Sequence, residues 1–545
     1  MDTNVLYYGD NLDILRYHIP DKSIDLIYLD PPFNSKANYN ILFKEPSGEQ
    51  SAAQIKAFGD TWHWDRAAED TFQDIILNAP PRVAKLVDAV IEGLGRNDVT
   101  AYLVMMTIRL VELHRVLKDT GSLYLHCDPT ASHYLKMVLD AIFGPLNFRN
   151  EIIWKRSHSH NSARRYGPIH DTLLFYSKAS SYKWSDTRID YEPQYVDRFF
   201  KFDDNDGRGT YWTGDLTGTG IRHGETGKAW RGFNPTLKNR HWMYPPSDLD
   251  KLDADGRIFW PKKQGAWPKL KRYLSEAKGV PLQDIFDDIY SLATMGGPKG
   301  ERLGYPTQKP EALLERIINA SSNEGDIVLD PFCGCGTALV VAQKLNRKWI
   351  GIDITHLAIA VMKSRLEDSF PGIKVDVMGE PEDLSGAKAL ARQDRYQFQW
   401  WALSKIKAKP FPEERRKGAD KGIDGVIDFV DRDEGSGKQV MKRAVVSVKS
   451  GHVHVRDIRE LKDVASQQAM GVFITLEPPT REMKTEAVSA GNYHSPLWDK
   501  DYPKIQILTI AELLGGKGVD MPPATSPYAR APKVDKSEGK AVKMI

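Results

Sequence analysis

Four residues at the end of one short apolar segment have the groups needed to hold a planar base with an exocyclic amino group. The segment DLIYLD (25–30) has the pattern of a buried strand, and it runs into Asp30, Pro31, Pro32 and Phe33. A turn that ends a strand would explain the prolines but not the carboxylate and the ring. The Asp30 carboxylate and the Pro31 carbonyl can each accept one amino hydrogen, and the Phe33 ring can stack on the base. In duplex DNA such a base must first leave the helix.

A second stretch, DIVLDPFCGCGT (326–337), has the order of a nucleoside-cofactor site. A strand ends at Asp330, a turn contains Gly334 and Gly336, and a helix begins. Small residues let a ligand approach the backbone at the N-terminus of a helix. The next strand ends at Asp353, whose carboxylate can accept hydrogen bonds from ribose hydroxyls. A tight turn in an α/β domain is the plainer interpretation, but the ordered unit favours a cofactor site.

The glycine turns do not match the nucleotide motifs of two other enzyme classes. The third glycine of a dinucleotide fingerprint is missing, and Thr337 follows Gly336. The stretch DEGSGKQ (433–439) differs from a phosphate loop because its first glycine is out of register and Gln439 replaces Ser or Thr. The sequence therefore predicts no ATP-driven motor.

The elements that must position these residues alternate between strands and helices in two separate stretches, 1–177 and 301–380. Such alternation builds a parallel sheet covered by helices. Residues 178–300 show little periodicity and contain six of the thirteen tryptophans: Trp184, Trp212, Trp230, Trp242, Trp260 and Trp267. Trp beside Arg and Lys forms either a nucleic-acid surface or the core of a loop-rich domain, and this stretch alone favours the core.

Two further segments complete the predicted organisation. Residues 394–514 have an α/β pattern of their own, and the tail 515–545 is rich in Pro, Gly and Lys and is predicted to be disordered. The segment 34–100, which includes Trp62 and Trp64, stays open to three interpretations: a DNA clamp, a dimer arm or part of the core.

Composition predicts a multidomain cytoplasmic protein. A chain of 545 residues corresponds to about three domains, and its formal net charge of +2 neither requires nor excludes nucleic acid. No apolar run reaches the roughly 18 residues of a membrane span, and the N-terminus lacks a basic-then-apolar leader. Cys127, Cys333 and Cys335 form neither a disulfide framework nor a zinc spacing, so we expect reduced thiols.

The motifs resemble those of the amino-group DNA methyltransferases. DPPF (30–33) resembles the catalytic motif in the form associated with adenine N6, because cytosine N4 enzymes usually begin it with Ser. DPFCGCGT (330–337) resembles the S-adenosylmethionine motif, with Cys335 in place of the more usual Ser. TQKP (307–310) is similar to the motif that helps to hold the methionine end, and YYGD (7–10) to the motif near the cofactor adenine.

The order of these motifs, with the catalytic half first, is similar to the permuted beta group of that family. The resemblance covers about residues 1–380 and implies a Rossmann-like S-adenosylmethionine-dependent α/β fold. It divides this part of the chain into a catalytic half (1–177), a target-recognition domain (178–300) and a cofactor half (301–380). The cofactor-binding residues that it implies are Asp10, Thr307, Lys309, Asp330, Phe332, Gly334, Gly336, Thr337 and Asp353. The methyl transfer that it implies is direct, without a metal or a covalent enzyme intermediate.

Residues 394–514 resemble a restriction-endonuclease-like fold of the Mrr-like type. In such a site Asp424 would hold Mg²⁺ and Lys449 would orient the attacking water. Ser447 stands where Glu or Gln is expected, so Asp420 or Gln399 would have to supply the missing ligand. The plainer interpretation makes Asp424 a turn residue and Lys449 a solvated strand end.

We therefore predict a site-specific adenine methyltransferase that acts on double-stranded DNA within a restriction-modification or phage-defence module. One alternative moves the methyl acceptor to cytosine N4, RNA or a protein amide. Another makes the chain a DNA-binding specificity subunit that works with a separate helicase-nuclease subunit. A third is a nuclease that senses the cofactor. The recognition sequence and the formation of a homodimer are left open by the sequence.

Overall fold

The computed structural model describes residues 1–32, 63–157, 166–292, 301–303, 305, 307–410, 422–433, 435 and 437–524. It divides into two compact units, one made of Met1–Ser185 with Asp284–Ile545 and the other of Asp186–Gln283. The second unit lies within the predicted insert 178–300, whereas the predicted third domain, 394–514, belongs to the first unit. No helix of the described residues combines the length and the apolar character needed to cross a membrane.

The first unit begins with a strand-helix alternation in which β2 is buried along its whole length, as expected of a central strand of a parallel sheet. Its elements are β1 (Val5–Tyr8), α1 (Asn11–His18), β2 (Ile24–Leu29), α2 (Arg66–Asn78), α3 (Pro81–Leu94), α4 (Asp98–Val116), β3 (Leu117–Cys127), α5 (Pro129–Phe143), β4 (Phe148–Lys155) and β5 (His170–Ser177). Helices α2 and α3 pack through Phe72, Ile75 and Val87 on α4, so the core interpretation holds for residues 66–94. Residues 33–62 lie outside the described residues.

The second unit is built from short strands and carries its own apolar core. Its elements are β6 (Arg188–Ile189), α6 (Pro193–Phe199), β7 (Tyr211–Asp215), β8 (Thr217–Thr219), β9 (Arg240–Trp242), α7 (Pro246–Ala254), β10 (Ile258–Phe259), β11 (Lys269–Tyr273) and β12 (Val280–Pro281). Trp230 and Trp242 are buried in this core, which confirms the predicted core role for these two tryptophans. Trp260 is 40% exposed.

The first unit resumes after this insert and completes a mixed sheet. Its elements are β13 (Ile285–Phe286), α8 (Glu311–Ser321), β14 (Ile327–Asp330), α9 (Thr337–Lys344), β15 (Lys348–Asp353), α10 (His356–Ser369) and β16 (Asp376–Met378). Among the described residues, nine strands form one sheet in the order β13-β4-β5-β3-β2-β14-β15-β1-β16. The run from β3 to β16 is parallel, while β5 is antiparallel to both β3 and β4.

Helices cover both faces of this sheet because alternate residues of β2 point to opposite sides. Ile27 and Leu29 lie in a core shared with α4 and α5, whereas Leu26 and Tyr28 lie in a core shared with α8 and α9. This is the predicted Rossmann-like α/β arrangement.

The carboxyl-terminal part forms a smaller α/β layer. Its elements are α11 (Leu384–Gln393), α12 (Arg395–Lys405), β17 (Lys409–Pro410), β18 (Gly425–Arg432), β19 (Gln439–Lys449), α13 (Val455–Ala465), β20 (Met470–Thr475), α14 (Arg481–Val488), β21 (Asn492–Ser495), β22 (Lys500–Pro503), β23 (Ile505–Thr509) and α15 (Ile510–Leu514). Five of these strands form a sheet in the order β17-β18-β19-β20-β23. Phe398 and Trp401 of α12 pack with Phe429 and Val446 in its core.

The prediction that the tail is disordered from residue 515 is wrong for residues 515–524. The Gln506 side chain donates to the Asp520 carbonyl at 2.7 Å and accepts from the Asp520 N–H at 2.9 Å. Val519 and Met521 pack against the apolar core, and Ala524 bridges to Phe429. Composition alone did not identify Val519 and Met521 as core residues, because they lie among glycines and prolines. Residues 525–545 lie outside the described residues.

Candidate active site

Four carboxylates lie at the carboxyl ends of four adjacent parallel strands. Asp30 follows β2, Asp330 ends β14, Asp353 ends β15 and Asp10 comes two residues after β1. The strand order β2-β14-β15-β1 brings these ends to the same edge of the sheet. Ligands of open α/β sheets bind at this edge, so the fold brings the two predicted motifs together although 300 residues separate Asp30 from Asp330.

The glycine turn between β14 and α9 needs its glycines for conformation and for space. Gly334 has φ +50° and Gly336 has φ +73°, a region that other residues rarely adopt. A Cβ on Gly336 would lie 2.7 Å from Cγ of Met362. Gly336 is the N-cap of α9 and provides no side-chain cap, so the first backbone N–H groups of α9 are available to a ligand.

Asp353 supports this turn as well as facing the site. Its Oδ2 accepts from the Gly334 N–H at 3.0 Å, and its Oδ1 accepts from the N–H and the hydroxyl of Thr355 at 3.0 and 2.9 Å. Burial raises the pKa of Asp353 to about 6 in spite of these hydrogen bonds. The backbone N–H of Ile354 also donates to this carboxylate, so Gly334, Ile354 and Thr355 together hold its orientation.

The neighbouring Asp330 is buried, and its Oδ1 accepts from the Phe332 N–H at 3.1 Å. Burial raises the pKa of Asp330 well above its usual range, and the negative charges of Asp30 and Asp353 act in the same direction. The hydrogen bond from Phe332 makes Asp330 part of the turn itself.

Lys309, predicted to help bind the cofactor, pairs instead with the predicted catalytic carboxylate. Its Nζ forms an ion pair with Oδ2 of Asp30, and both side chains are largely shielded, at 15% and 17% exposed. The same Nζ lies 3.5 Å from the carbonyl oxygen of Thr307. Pro31 is buried and Pro32 half-buried beside Asp30. Phe33 lies outside the described residues.

Thr337 and Phe332, which are also predicted to bind the cofactor, contact other residues of the protein around the glycine turn. The Thr337 hydroxyl donates to the Lys309 carbonyl at 3.3 Å and accepts from Arg365 at 3.0 Å. This contact ties the start of α9 to the TQKP segment. Phe332 is partly buried against the core that contains α1 and α4. Both side chains therefore stabilise the turn through contacts with the rest of the protein.

Arg109, in the middle of α4, is a site residue that sequence reasoning missed. It is 6% exposed, and it donates to Asp10 Oδ1 at 2.9 Å and to Asn11 Oδ1 at 2.6 Å. Asn11 in turn donates to the Pro331 carbonyl at 2.8 Å. This buried guanidinium therefore fixes the YYGD segment against the glycine turn. A single Arg within the apolar run MMTIRLV was the available signal.

The described residues of the predicted nuclease site, Asp424, Ser447 and Lys449, lie in or next to the strands of the carboxyl-terminal sheet. Asp424 Oδ2 accepts from the Val448 N–H at 2.7 Å, so this carboxylate helps to hold β19. Ser447 and Lys449 line a small cavity whose other polar lining residues are Asp457 and Glu460. Among the described residues, no group of three or more His, Cys, Asp or Glu side chains could hold a metal ion. The residues present do not fit the predicted Mg²⁺ site, and Asp420 lies outside the described residues.

Two family models match separate parts of the chain. Residues 24–364 match the model described as DNA methylase. Residues 397–515 match the model described as NACHT-associated inactive Restriction Endonuclease 1. The restriction-endonuclease resemblance of the carboxyl-terminal domain is thus confirmed, and the matched family is described as inactive.

Three relatives align with the methylase part. The Type II methyltransferase M.EcaI of Enterobacter cloacae is 30% identical over 66% of this chain and 69% of its own length. The Type III restriction-modification enzyme StyLTI Mod subunit of Salmonella typhimurium is 28% identical over 63% of this chain and 50% of its own length. The DNA adenine methyltransferase YhdJ of Escherichia coli is 25% identical over 67% of this chain and 83% of its own length. With the family model spanning more than half of its residues, this chain belongs to the DNA methylase family.

Proposed function

We propose that this protein transfers a methyl group from S-adenosylmethionine to the N6 amino group of adenine in double-stranded DNA. The observation that carries the proposal is the position of Asp30, paired with Lys309, at the same sheet edge as the turn of Gly334 and Gly336. Membership of the DNA methylase family supports the reaction class. The Asp that begins DPPF supports adenine over cytosine, as does the relative named a DNA adenine methyltransferase.

The residues around the turn fit S-adenosylmethionine. Gly334 and Gly336 keep the backbone open to the ligand, and Asp353 ends the next strand, where its carboxylate would accept from the ribose. Asp10, fixed by Arg109, follows β1, the strand beside β15, where the cofactor adenine would bind. When bound, this cofactor supplies an electrophilic methyl group on a sulfonium.

The protein's own part in the reaction is to hold the amino group and to stabilise charge. Asp30 accepts one amino hydrogen and the Pro31 carbonyl accepts the other, which leaves the nitrogen lone pair free to react. Positive charge develops on that nitrogen during transfer, and the Asp30 carboxylate stabilises it. Phe33 stacks on the flipped base. The amino group then releases one proton to solvent by way of Asp30.

We assign recognition of the DNA sequence to the second unit, Asp186–Gln283, because it interrupts the methylase fold and has a separate core. A relative named as the Mod subunit of a restriction-modification enzyme supports a place in such a module, with a separate restriction subunit as partner. The module would act on cellular DNA in the cytoplasm. A second copy of the chain is a further candidate partner.

The test compares the wild-type chain with Asp30→Ala in cells that have no other DNA methylase, followed by single-molecule sequencing of their DNA. We expect N6-methyladenine in one short motif with the wild type. Loss of one electrostatic stabiliser of this kind costs about 10²–10³-fold in turnover, so the motif should be unmethylated with Asp30→Ala. The matched control is Asp499→Ala, which removes a fully exposed carboxylate.

Each other outcome corrects a defined part of the proposal. N4-methylcytosine in the motif would show that the base is wrong but the reaction right. Equal methylation by wild type and Asp30→Ala would show that DPPF is not the catalytic motif. An unmethylated genome with all three proteins would favour an RNA or protein acceptor, or an obligatory partner subunit.

A further inference from the structure

Helix α12, the first helix of the predicted nuclease-like domain (394–514), packs directly on the cofactor half of the methylase. It places Phe398 and Trp401 in the core of its own domain and also lies against α10. Helix α10 begins at His356, three residues after Asp353. The nuclease-like domain therefore contacts the element that follows the proposed ribose-binding carboxylate.

Gln397 makes the most specific contact in this interface. Its Oε1 accepts from the His356 N–H at 3.0 Å, and Gln397 is 3% exposed. The first N–H groups of a helix have no partner within the helix and need an acceptor from elsewhere. Thr355 caps α10 by accepting from the Ala358 N–H at 3.3 Å. Gln397, a residue of the nuclease-like domain, therefore completes the cap of a methylase helix.

The cap is connected to the cofactor carboxylate through one residue. The hydroxyl of Thr355, which accepts from Ala358, also donates to Asp353 Oδ1 at 2.9 Å. A rotation of the first turn of α10 would move Thr355 and with it Asp353. The turn residue Gly334 would move as well, because its N–H donates to the other Asp353 oxygen.

The side chain of His356 extends the same interface to the YYGD segment. It is fully buried and stacks on Tyr8, with ring centroids 3.7 Å apart. Tyr8 ends β1 and pairs in register with Asp353. Nδ1 of His356 lies 3.5 Å from Glu380, which pairs with Lys405 at the end of α12 at 2.9 Å.

In this interface the negative charge lies on Glu380, while His356 is neutral. Burial lowers the pKa of His356, so its ring is neutral at pH 7. Burial alone would raise the pKa of Glu380, but its pairing with His356 and Lys405 lowers the pKa to about 2. Helix α12 is therefore linked to the start of α10 directly through Gln397 and indirectly through Lys405, which pairs with Glu380 beside His356.

We propose that the nuclease-like domain is a structural part of the cofactor pocket, with Gln397 as the positioning residue that sets the affinity for S-adenosylmethionine. The inference rests on the proposed function, because it assumes that the pocket at Asp353 binds this cofactor. It gives the domain a role that needs no cleavage of DNA. By thermodynamic linkage, a ligand that displaces α12 lowers the affinity for the cofactor, and the bound cofactor lowers the affinity for that ligand by the same factor.

The test measures the binding of S-adenosylmethionine to the full-length protein by isothermal titration calorimetry. Gln397→Leu removes the acceptor at nearly constant volume, and the loss of a helix cap corresponds to about fivefold weaker cofactor binding. Gln397→Glu keeps an acceptor and should restore the wild-type affinity. Gln468→Leu, an exposed glutamine of the same domain, is the matched control and should bind as the wild type does.

Three readouts separate positioning from a general loss of structure. With Gln397→Leu, the KM for the cofactor should rise about fivefold while kcat and the dissociation constant for DNA stay within twofold of wild type. Lys405→Met breaks the other end of the interface and should shift the KM in the same direction. Thermal unfolding of each variant identifies any protein that is no longer folded.

Two results would overturn the inference for different reasons. Wild-type affinity in folded Gln397→Leu would show that the α12 cap does not reach the pocket, and would leave the proposed function intact. No binding of S-adenosylmethionine by the wild-type protein would overturn the proposed function, and this inference with it.

Discussion

Asp30 is the residue that carries the proposed chemistry, and one cation and two carboxyl groups lie near it. Asp330, at the same sheet edge, has a pKa that burial raises well above its usual value. Asp353 accepts hydrogen bonds from Gly334 and Thr355. Asp30 pairs with Lys309, and we expect this paired carboxylate to face the substrate.

Replacement of Lys309 should affect turnover more than cofactor binding, since its Nζ contacts the catalytic carboxylate. In Lys309→Met the Asp30 side chain loses a charge-assisted hydrogen bond of about 1.5–3 kcal/mol, and we expect kcat to fall by at least about tenfold. The KM for S-adenosylmethionine should change less than threefold. Steady-state kinetics with labelled cofactor measures both values.

The control for this experiment is Lys22→Met, which breaks an exposed pair with Asp119 and should leave both constants unchanged. A large rise in the KM for S-adenosylmethionine with an unchanged kcat in Lys309→Met would contradict this role. It would support the cofactor-binding role that the TQKP motif predicts for this lysine.

At the scale of single elements, strand β2 has a structural carboxylate, Asp25, near its start and is followed by the proposed catalytic carboxylate, Asp30. Asp25 is 1% exposed and accepts from the Ile327 N–H at 3.0 Å, from Lys118 at 2.7 Å and from Lys183 at 2.8 Å. Burial alone would raise the pKa of Asp25, but these hydrogen bonds lower it below its usual value. The carboxylate thus joins β2 to β14 and β3.

Asp25→Asn should lower the free energy of unfolding at pH 7 by about 2 kcal/mol, since it replaces a charged acceptor by a neutral one. A depressed pKa stabilises the fold above the pKa of the unfolded chain, about 3.9, and this stabilisation is lost as the pH falls through the folded-state pKa. The difference between variant and wild type should therefore shrink in strongly acidic buffer. Urea unfolding at pH 7 and at pH 3 measures it.

The matched control is Asp119→Asn, whose carboxylate is 60% exposed beside Lys22. Its free energy of unfolding should equal that of the wild type within experimental error at either pH. If Asp25→Asn lowers the free energy of unfolding by the same amount at both pH values, the charge of Asp25 has no role in stability. The effect would then come from the geometry of its hydrogen bonds.

The elements around the site could be predicted where local pattern decides them. The apolar run before Asp30, the glycine turn after Asp330 and the strand before Asp353 were read from the sequence, and each is present. The clamp of Arg109 on Asp10 could not be predicted, because it joins residues 99 positions apart and follows from how α4 packs. The Gln397 cap depends in the same way on the packing of one domain on another.

At the scale of the whole molecule, the chain combines one inserted unit with a fused domain that shares an interface with the methylase. Asp186–Gln283 has its own core, which suits a module that can vary its contacts with DNA. The carboxyl-terminal domain, by contrast, contributes α12 to the cofactor half. Its matched family is described as inactive. Retention of this fold beside the methylase is expected if the domain supports the cofactor pocket, as proposed above.

The purified protein should leave DNA intact in the presence of Mg²⁺ or Mn²⁺. Ser447 stands where a metal-binding Glu or Gln is expected, and the Asp424 carboxylate accepts a hydrogen bond from the Val448 N–H. Asp424→Asn should then lower the stability of this domain by about 1 kcal/mol and leave methylation within twofold of wild type. Gel analysis of supercoiled plasmid measures cleavage, and labelled cofactor measures methylation. Metal-dependent nicking by the wild type that disappears in Asp424→Asn would show an active nuclease and restore the metal site that the Mrr-like resemblance implies.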